Sequence, residues 1–301
     1  MGTPLFLHNL LKTETSYANM YIDISFLTLL LNGLSTHLIE VTDMDYTTIL
    51  ERGDLQIPVI TYEPEYSDHS RVLIGIHGFG GSMRSSVISA VGEEMGFYNT
   101  ATIAFDFPAH GESPMDSRDF NLKTCQQSLL EVIDFAKERW PQAKEYCVLA
   151  SSFGAYIALL AIDDLKEKLG RFKFVLRCPA VRMNKTFLEI ARTDAPGLMK
   201  KGRIICGYER KMELGYSFYE QLEYNNAVAD HDMPMLILQG DQDELIDIGD
   251  IEFFHLLNSK SSLVMIPGAT HRFNHEGELD MIIDLARDWY LCEEVLLCEC
   301  D

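Results

Sequence analysis

Short runs of aliphatic and β-branched residues alternate with longer amphipathic segments from Tyr46 onward. This alternation is typical of a mainly parallel β-sheet covered by helices, because the crossover between two parallel strands usually contains a helix. We therefore predict an α/β fold with an eight-stranded sheet and helices on both of its faces. The predicted strands span residues 47–50, 56–62, 71–76, 100–105, 146–150, 172–177, 235–239 and 262–266. The predicted helices span residues 84–95, 122–140, 153–169, 248–257 and 279–297.

Two connections between the predicted strands are unusual. The first two strands are joined by a turn with Gly53 and Asp54, a pair that suits a hairpin, so the sheet is predicted to begin antiparallel. About fifty residues separate the strand that ends near Cys178 from the next one, near Met235. Because loops of that length usually serve as lids or binding elements, we predict a cap insertion over residues 181–232. Within this interval, residues 185–192 and 216–224 are predicted to be helical, and residues 202–212 are predicted to form a short hairpin.

The first 44 residues are assigned to an N-terminal extension, which precedes a single domain of residues 45–301. The stretch from Ile24 to Ile39 carries no Lys, Arg, Asp or Glu, as in signal sequences and membrane anchors. Polar residues interrupt this stretch and no basic region precedes it. We therefore favour a helical extension packed on the domain, or a leader segment with Met44 as an alternative first residue.

The charge of the chain limits its partners. With 25 basic and 46 acidic residues, the net charge is −21, and no local basic patch is present. Phosphate backbones and anionic lipids repel such a chain, so we expect neither a nucleic acid nor a membrane as a partner, while a homodimer stays open. Nine acidic residues against one arginine lie between Glu276 and Asp301, which indicates solvated surface.

The cysteines indicate the compartment. Their number is seven, and they are scattered through apolar stretches, which suits buried free thiols better than a disulfide framework. We therefore predict a cytoplasmic protein. Cys292, Cys298 and Cys300 lack the CxxC spacing of a metal site, and His271 and His275 stand four apart without a third ligand, so neither a metal nor a cofactor is expected.

A serine turn follows the predicted strand 146–150. Ala150, Ser151, Ser152, Phe153 and Gly154 form a small-x-Ser-x-Gly pattern that leads into an apolar helix. Such a pattern predicts a strained strand-to-helix corner that lifts the hydroxyl of Ser152 above the sheet. The Phe153 amide would then lie at a helix N-terminus, aimed at developing negative charge. An ordinary helix cap is the alternative, and Ser151 is the rival nucleophile.

A glycine-rich loop follows the predicted strand 71–76. It reads His77, Gly78, Phe79, Gly80, Gly81 and Ser82. Its glycines let the chain fold back with amides pointing inward, which predicts a second oxyanion donor, the Phe79 amide. The loop lacks the Lys-Ser/Thr ending of a P-loop and the spacing of a dinucleotide site. A purely structural turn is the remaining alternative.

A carboxylate and a histidine follow the last two predicted strands. Asp241 and Asp243 come directly after strand 235–239, and His271 comes shortly after strand 262–266. Ligands of α/β sheets bind at the carboxyl ends of the strands, so these side chains are candidates for a shared site. Taken singly, such a histidine or aspartate is more often structural.

Residues from about 45 to 301 resemble the α/β-hydrolase superfamily. Ser, Asp and His occur in that family's order, and the stretch from Asp106 through His110 to Ser113 is similar to its Asp-x-x-Gly-His-Gly-x-Ser segment, with Ala109 where glycine is usual. Within the superfamily, the chain resembles feruloyl (cinnamoyl) esterases, dienelactone hydrolases and acylaminoacyl- or prolyl-type peptidases.

The resemblance implies roles for individual residues. It makes Ser152 the nucleophile, His271 the general base and acid, and Asp243 the residue that orients the imidazole. Asp243 is preferred over Asp241 because it occupies the Asp of the family's Gly-x-x-Asp-x-x-Val/Ile segment, which here begins at Gly240. Asp106 and His110 would shape the site, or form only a buried hydrogen-bonded turn.

The function implied is hydrolysis of a small-molecule ester with a small or aromatic acyl group, through an acyl-enzyme. Aromatic residues of the predicted cap would stack on a phenolic acyl group or form the core of the cap; they are Phe187, Tyr208, Tyr216, Phe218 and Tyr219. A peptidase, amidase or thioesterase with the same triad is the alternative chemistry. A non-catalytic binding protein with this fold is the alternative of another class.

Overall fold

An eight-stranded sheet runs through the part of the chain that the structure, a computed structural model, describes: residues 44–64, 68–208 and 210–292. In chain order, the strands are β1 (Met44–Arg52), β2 (Leu55–Glu63), β3 (Arg71–Ile76), β4 (Thr100–Phe105), β5 (Glu145–Ser151), β6 (Phe172–Arg177), β7 (Arg203–Cys206), β8 (Met212–Gly215), β9 (Met235–Gly240) and β10 (Ser261–Ile266). Across the large sheet the order is β1-β2-β4-β3-β5-β6-β9-β10, while β7 and β8 pair with each other as a separate hairpin.

The sheet begins antiparallel and continues parallel. Strand β1 pairs with β2, and β2 with β4, in antiparallel register. From β4 to β10 every neighbouring pair is parallel. The predicted eight strands and the antiparallel start are therefore confirmed. Gly53 lies in the β1–β2 turn at φ 58°, a left-handed conformation that costs glycine little.

Helices cover the sheet on both of its faces. They are α1 (Ser86–Gly96), α2 (Leu122–Arg139), α3 (Phe153–Leu160), α4 (Ile162–Leu169), α5 (Met183–Ala191), α6 (Ala195–Lys201), α7 (Tyr216–Tyr224), α8 (Ile248–Leu257) and α9 (Glu278–Leu291). Helix α1 packs against α9, and α2 packs against α3 and α4. Every residue of β4, β6 and β9 is buried, as expected for central strands with helices on both sides.

Three helix predictions differ from the structure. The segment predicted as one helix over 153–169 is two helices, because Ala161 leaves helical geometry at φ −100° and ψ 15°. The first of them is buried almost throughout, whereas the second presents charged residues to solvent. Helix α6 was not predicted; the Asp194 carboxylate caps it by accepting a hydrogen bond from the Gly197 amide at 2.8 Å. Helix α9 ends at Leu291, because Cys292 is extended at φ −68° and ψ 116°, and residues 293–297 of the predicted helix 279–297 lie outside the described residues.

The interval between β6 and β9 contains α5, α6, the β7–β8 hairpin and α7. It therefore has the two helices and the hairpin predicted for a cap. Its core is aromatic, because Phe187 on α5 and Phe218 on α7 are buried and their ring centroids lie 5.3 Å apart. The Phe218 ring also contacts Phe120, at 4.9 Å, which ties this interval to the helices that cover the large sheet.

Two further expectations concern the whole chain. Cys125, Cys147, Cys178, Cys206 and Cys292 have free thiols, while Cys298 and Cys300 lie outside the described residues. Within the described ranges, no helix has both the length and the apolar character needed to cross a membrane. The predicted N-terminal extension also lies outside the described residues, apart from its last position, Met44.

Candidate active site

Ser152 lies at the corner between β5 and α3. Its backbone has φ 51° and ψ −113°, a conformation that a residue with a side chain seldom adopts. The corner is held from both sides, because the Ser152 amide donates to the Arg177 carbonyl at 2.9 Å and the Ser152 carbonyl accepts from Tyr156 at 3.1 Å. The corner therefore has the strained geometry that the small-x-Ser-x-Gly pattern predicts.

Gly154 explains why the pattern needs a small residue after the serine. A Cβ at this position would lie 2.5 Å from the His77 carbonyl oxygen and 2.7 Å from that of Ile76. Real Cβ atoms do not approach backbone oxygens so closely, so glycine is required for α3 to pack against the end of β3. Gly78 also approaches the corner closely, because a Cβ added to it would lie 3.2 Å from the Cβ of Ser152.

His271 follows β10 and lies between Ser152 and Asp243. Its Nε2 atom is 3.1 Å from the Ser152 Oγ, and its Nδ1 atom is 2.9 Å from Oδ2 of Asp243. A carboxylate only accepts, so Nδ1–H donates to Asp243 and the lone pair of Nε2 faces the serine hydroxyl. The three side chains form one hydrogen-bonded chain. All three are buried: Ser152 is 5% exposed, His271 is 9% exposed and the Asp243 side chain is 0% exposed.

The Asp243 carboxylate is held as an anion. Burial by itself raises the pKa of this group, but the hydrogen bond and charge of His271 and the amides of Leu245 and Ile246 outweigh it and lower the pKa to about 2. Both amides donate to Oδ1 at 2.9 Å, and the Gln239 side chain donates to Oδ2 at 2.9 Å. The carboxylate is therefore ionised at neutral pH and fixed in position.

The rival residues contact other groups. Asp241 accepts a hydrogen bond from the Gly268 amide at 2.7 Å, which joins the loop after β9 to the loop after β10. The Ser151 hydroxyl is buried and has no hydrogen-bond partner among the described residues. The structure thus brings Ser152 and Asp243 to His271, and not Ser151 or Asp241.

The amides of Phe79 and Phe153 flank the serine corner. Among the described residues, neither amide nitrogen donates to a protein acceptor. The Phe79 loop is held by the His77 side chain, whose Nε2 accepts from the Phe107 amide at 3.2 Å, while Nδ1–H donates to the Gly78 carbonyl at 2.7 Å. Burial, followed by the charge of His110, lowers the pKa of His77 to about 3, so this imidazole is neutral.

Asp106 and His110 form a buried, hydrogen-bonded turn. The Asp106 carboxylate accepts from the Met83 amide at 2.6 Å and from the Glu112 amide at 2.7 Å, so it joins the loop after β3 to the loop after β4. His110 donates from Nδ1 to the Pro108 carbonyl at 2.9 Å, and burial lowers its pKa to about 4. Both residues lie behind the Phe79 loop and are not hydrogen-bonded to Ser152, Asp243 or His271.

Further residues that the sequence did not indicate contact the site. Gln239 donates to Asp243 as described above, and the buried Arg177 guanidinium donates to the His271 carbonyl at 2.6 Å. The Cys178 thiol hydrogen-bonds Asp243, and burial raises its pKa, so it is a neutral donor. Each of these residues lies within the last two positions of a strand or directly follows one, and that position was the available signal.

Ligand atoms of Cys178, Asp243 and His271 lie within 4.8 Å of one another. Three such groups so close together could hold a metal ion, but the Asp243 and His271 atoms already hydrogen-bond each other. The group therefore needs no metal ion to explain its arrangement.

Two features surround the site. A cavity of about 250 Å³ lies beside Asp243, between α5 and the loop that precedes α8, but Ser152 does not line it.

Near the Phe79 ring, aromatic rings from the interval between β6 and β9 and from the rest of the domain form a buried cluster. Its members are Phe79, Phe107, Phe120, Phe153, Phe187 and Phe218. Phe187 and Phe218 therefore pack in the buried core between β6 and β9 instead of standing free at a surface.

Comparisons with known proteins show which family model and which folds the chain is similar to. Residues 67–207 match the family model of serine aminopeptidase, S33. The solved structure of Est1E from Butyrivibrio proteoclasticus with bound ferulic acid is similar at a TM-score of 0.71 and 20% identity, covering 83% of this chain and 99% of that one. The dienelactone hydrolase of Anabaena variabilis gives a TM-score of 0.58 at 19% identity, with 83% and 97% covered.

A third solved structure has the same fold. A soluble variant of monoglyceride lipase from Saccharomyces cerevisiae gives a TM-score of 0.63 at 15% identity, with 83% of this chain and 96% of that chain covered. No curated protein sequence matches the chain significantly. At these identities the solved structures share the fold, and they do not by themselves identify a substrate.

Proposed function

We propose that the chain is a member of the α/β-hydrolase superfamily, whose fold it shares, and that it is a serine hydrolase that cleaves carboxylic esters of small molecules through an acyl-enzyme. The observation that carries this proposal is the hydrogen-bonded chain from Ser152 Oγ through the His271 imidazole to the Asp243 carboxylate. A hydroxyl is a poor nucleophile at neutral pH unless a base removes its proton during attack. The lone pair on Nε2 of His271 faces this proton.

In the proposed mechanism, Ser152 Oγ attacks the ester carbonyl while His271 Nε2 takes the hydroxyl proton. Asp243 keeps the proton of the imidazole on Nδ1 and stabilises the imidazolium that forms. The oxyanion of the tetrahedral intermediate accepts hydrogen bonds from the Phe79 and Phe153 amides. Each such donor stabilises the transition state by about 3 kcal/mol in enzymes of this kind.

The intermediate collapses when its C–O bond to the alcohol breaks. The imidazolium gives its proton to the leaving alkoxide, so an alcohol departs and the acyl group stays on Ser152. Water then attacks the acyl carbonyl and loses a proton to His271, and the serine leaves with that proton. The products are one carboxylic acid and one alcohol.

The finer substrate assignment is a small or aromatic acyl group, in keeping with the likeness to Est1E, whose structure was solved with ferulic acid bound. A second candidate is an aminopeptidase or amidase, because the matching family model describes a serine aminopeptidase. Thioester substrates fit the same chemistry. The free, buried thiols support a reducing compartment, and we propose the cytoplasm as the location.

A substrate panel separates these candidates. Nitrophenyl esters, methyl ferulate, acyl thioesters and aminoacyl anilides would be incubated with the full chain and with Ser152→Ala as the matched control. We expect turnover of esters by the native chain at least 10³-fold above the variant. Turnover of anilides alone would favour the aminopeptidase, and no turnover of any member by folded protein would favour a non-catalytic binding protein.

A further inference from the structure

The tip of the cap hairpin lies on the loop that carries the Phe79 amide. A Cβ added to Gly80 would lie 2.7 Å from the Tyr208 amide nitrogen and 3.2 Å from the Gly207 Cα, so the two backbones are in direct contact. Arg210, in the same hairpin, donates to the carbonyls of Ser113 and Met115 in the loop after β4. The hairpin therefore borders the space next to the proposed oxyanion hole.

Arg272 joins this hairpin to the loop that carries His271. It is the next residue after His271, it is exposed, and its guanidinium carbon lies 4.3 Å from the centre of the Tyr208 ring. Stacking on an aromatic ring uses the flat face of a guanidinium and leaves the N–H donors at its edge available. Arg272 therefore holds a set of donors beside His271 in a defined orientation.

Arg272 differs from other exposed arginines in having no acidic partner among the residues that the structure describes. Arg84 pairs with Glu112 at 2.7 Å, and Arg118 pairs with Asp116 at 2.5 Å. Within the described ranges, the Arg272 guanidinium stacks on the Tyr208 ring and forms no ion pair.

The charge of the whole chain contrasts with the positive charge of Arg272 beside the site. In a chain with a net charge of −21, an arginine that forms no ion pair among the described residues provides local attraction that the molecule as a whole does not provide. The nearby carboxylates are engaged: Asp243 bonds the His271 imidazole, and Glu244 accepts from the His271 amide at 3.1 Å.

We propose that Arg272 binds a carboxylate carried by the substrate, so that the preferred substrates are half-esters of dicarboxylic acids or similar acidic esters. A guanidinium edge matches a carboxylate with two parallel N–H···O bonds, which gives orientation as well as attraction. This inference rests on the proposed ester hydrolysis and names its substrate class. Arg272 is here a specificity-determining residue with no part in proton transfer.

The test compares two esters of the same leaving group and chain length. Mono-4-nitrophenyl adipate carries a carboxylate, and 4-nitrophenyl hexanoate is its neutral match. The ratio of their kcat/KM values would be measured for the native chain, for Arg272→Gln and Arg272→Lys, and for Arg118→Gln as the matched control. Arg118 is suitable because it is exposed and pairs with Asp116 instead of facing Tyr208.

We expect the native chain to favour the adipate ester at least 10-fold in kcat/KM. Arg272→Gln should lower this ratio at least 10-fold, Arg272→Lys should retain part of it, and Arg118→Gln should leave it unchanged. Because a general loss of activity lowers both rates, the ratio reports on recognition alone. Added salt at 0.5 M should reduce the native preference, since exposed charges are screened.

A native ratio below 1, or the same ratio in the native chain and in Arg272→Gln, would overturn the role of Arg272 and leave ester hydrolysis intact. Failure of the native chain to hydrolyse either ester would instead remove the proposed function on which this role depends. The two failures are therefore distinguishable in one experiment.

Discussion

Ser152 combines the reactive hydroxyl with a strained backbone, at φ 51° and ψ −113°. Strain of this kind costs about 1–3 kcal/mol and persists where the surrounding structure imposes it. Here the hydrogen bond from the Ser152 amide to the Arg177 carbonyl and the start of α3 impose it. Glycine adopts such a conformation with little cost.

Replacing Ser152 by glycine should therefore separate stability from activity. We expect Ser152→Gly to be about 1 kcal/mol more stable than Ser152→Ala, because alanine keeps the steric strain and glycine releases it. Both variants should be inactive. Urea unfolding of the two variants measures the difference, and equal free energies of unfolding would contradict the strain at this corner.

Asp243 should matter for catalysis through the tautomer of His271. We expect Asp243→Asn to lower kcat by about 10⁴-fold, the size of effect seen when an orienting aspartate is lost from such a triad. Asp241→Asn is the matched control and should lower kcat less than 3-fold, because Asp241 bonds Gly268 and not the imidazole. Similar losses in the two variants would reassign the acid.

The sequence indicates these residues because each follows a strand. In a parallel sheet the carboxyl ends of strands meet at one edge, so Ser152, Asp243 and His271 are predicted to lie close together, and the structure brings them within hydrogen-bond distance. Cys178 and Arg177 also lie at the end of a strand, but apolar or cationic residues there have too many ordinary roles to be singled out. Their contacts depend on the pairing of β6 with β9, which the sequence does not specify.

At the scale of elements, α3 must pack closely against the end of β3. Gly154→Ala would place a Cβ 2.5 Å from the His77 carbonyl oxygen, and backbone cannot yield as a flexible side chain can. We expect a loss of at least 2 kcal/mol in the free energy of unfolding, since overpacking typically costs about 1–3 kcal/mol and here the obstacle is backbone.

Gly215→Ala is the matched control for this substitution. The nearest atom to a Cβ at Gly215 lies at 3.5 Å, an ordinary contact, so this variant should lose less than about 1 kcal/mol. Chemical denaturation measures both variants, and a Gly154→Ala variant as stable as Gly215→Ala would contradict the close approach of α3 to β3.

The sequence predicts strands better than helices in this chain. All eight strands of the large sheet lie within a few residues of their predicted bounds, because buried aliphatic runs end sharply at polar turns. The break at Ala161 was not predictable, since the apolar pattern continues across it. Helix α6 is seven residues long and has Pro196 and Gly197 in its first turn, so periodicity alone does not reveal it.

At the scale of the whole molecule, two buried neutral histidines make stability depend on pH. The pKa is lowered from 6.5 to about 3 for His77 and to about 4 for His110, mainly by burial. Between pH 6.5 and about 4, the unfolded chain binds protons at these groups while the folded chain does not. The free energy of unfolding therefore falls as the pH falls, by about 1.4 kcal/mol per pH unit for each histidine.

We expect this slope to decrease by about 1.4 kcal/mol per pH unit in His110→Gln, which removes one of the two groups. Urea unfolding at pH 7.0, 6.0 and 5.0 gives the slope for the native chain and the variant. Comparing slopes excludes the loss of the hydrogen bond to Pro108, which acts at every pH. Parallel dependences in the two proteins would show that His110 is not buried in its neutral form.

The fold as a whole could be predicted from the alternation of strands and helices and from the antiparallel start. Two features at this scale depend on tertiary contacts that no local pattern records. One is the aromatic contact between Phe120, which precedes α2, and Phe218 on α7. The other is the stacking of Arg272 on Tyr208, residues that lie more than sixty positions apart in the sequence.

The most direct test of the central proposal is covalent labelling by a fluorophosphonate, followed by peptide mass spectrometry. The reagent modifies only a serine that a neighbouring base has activated. We predict one adduct on Ser152 in the native chain, none in Ser152→Ala or His271→Ala, and unchanged labelling in Ser151→Ala. An unlabelled native protein with a folded circular dichroism spectrum, or an adduct on another residue, would contradict the assignment of Ser152 as the nucleophile.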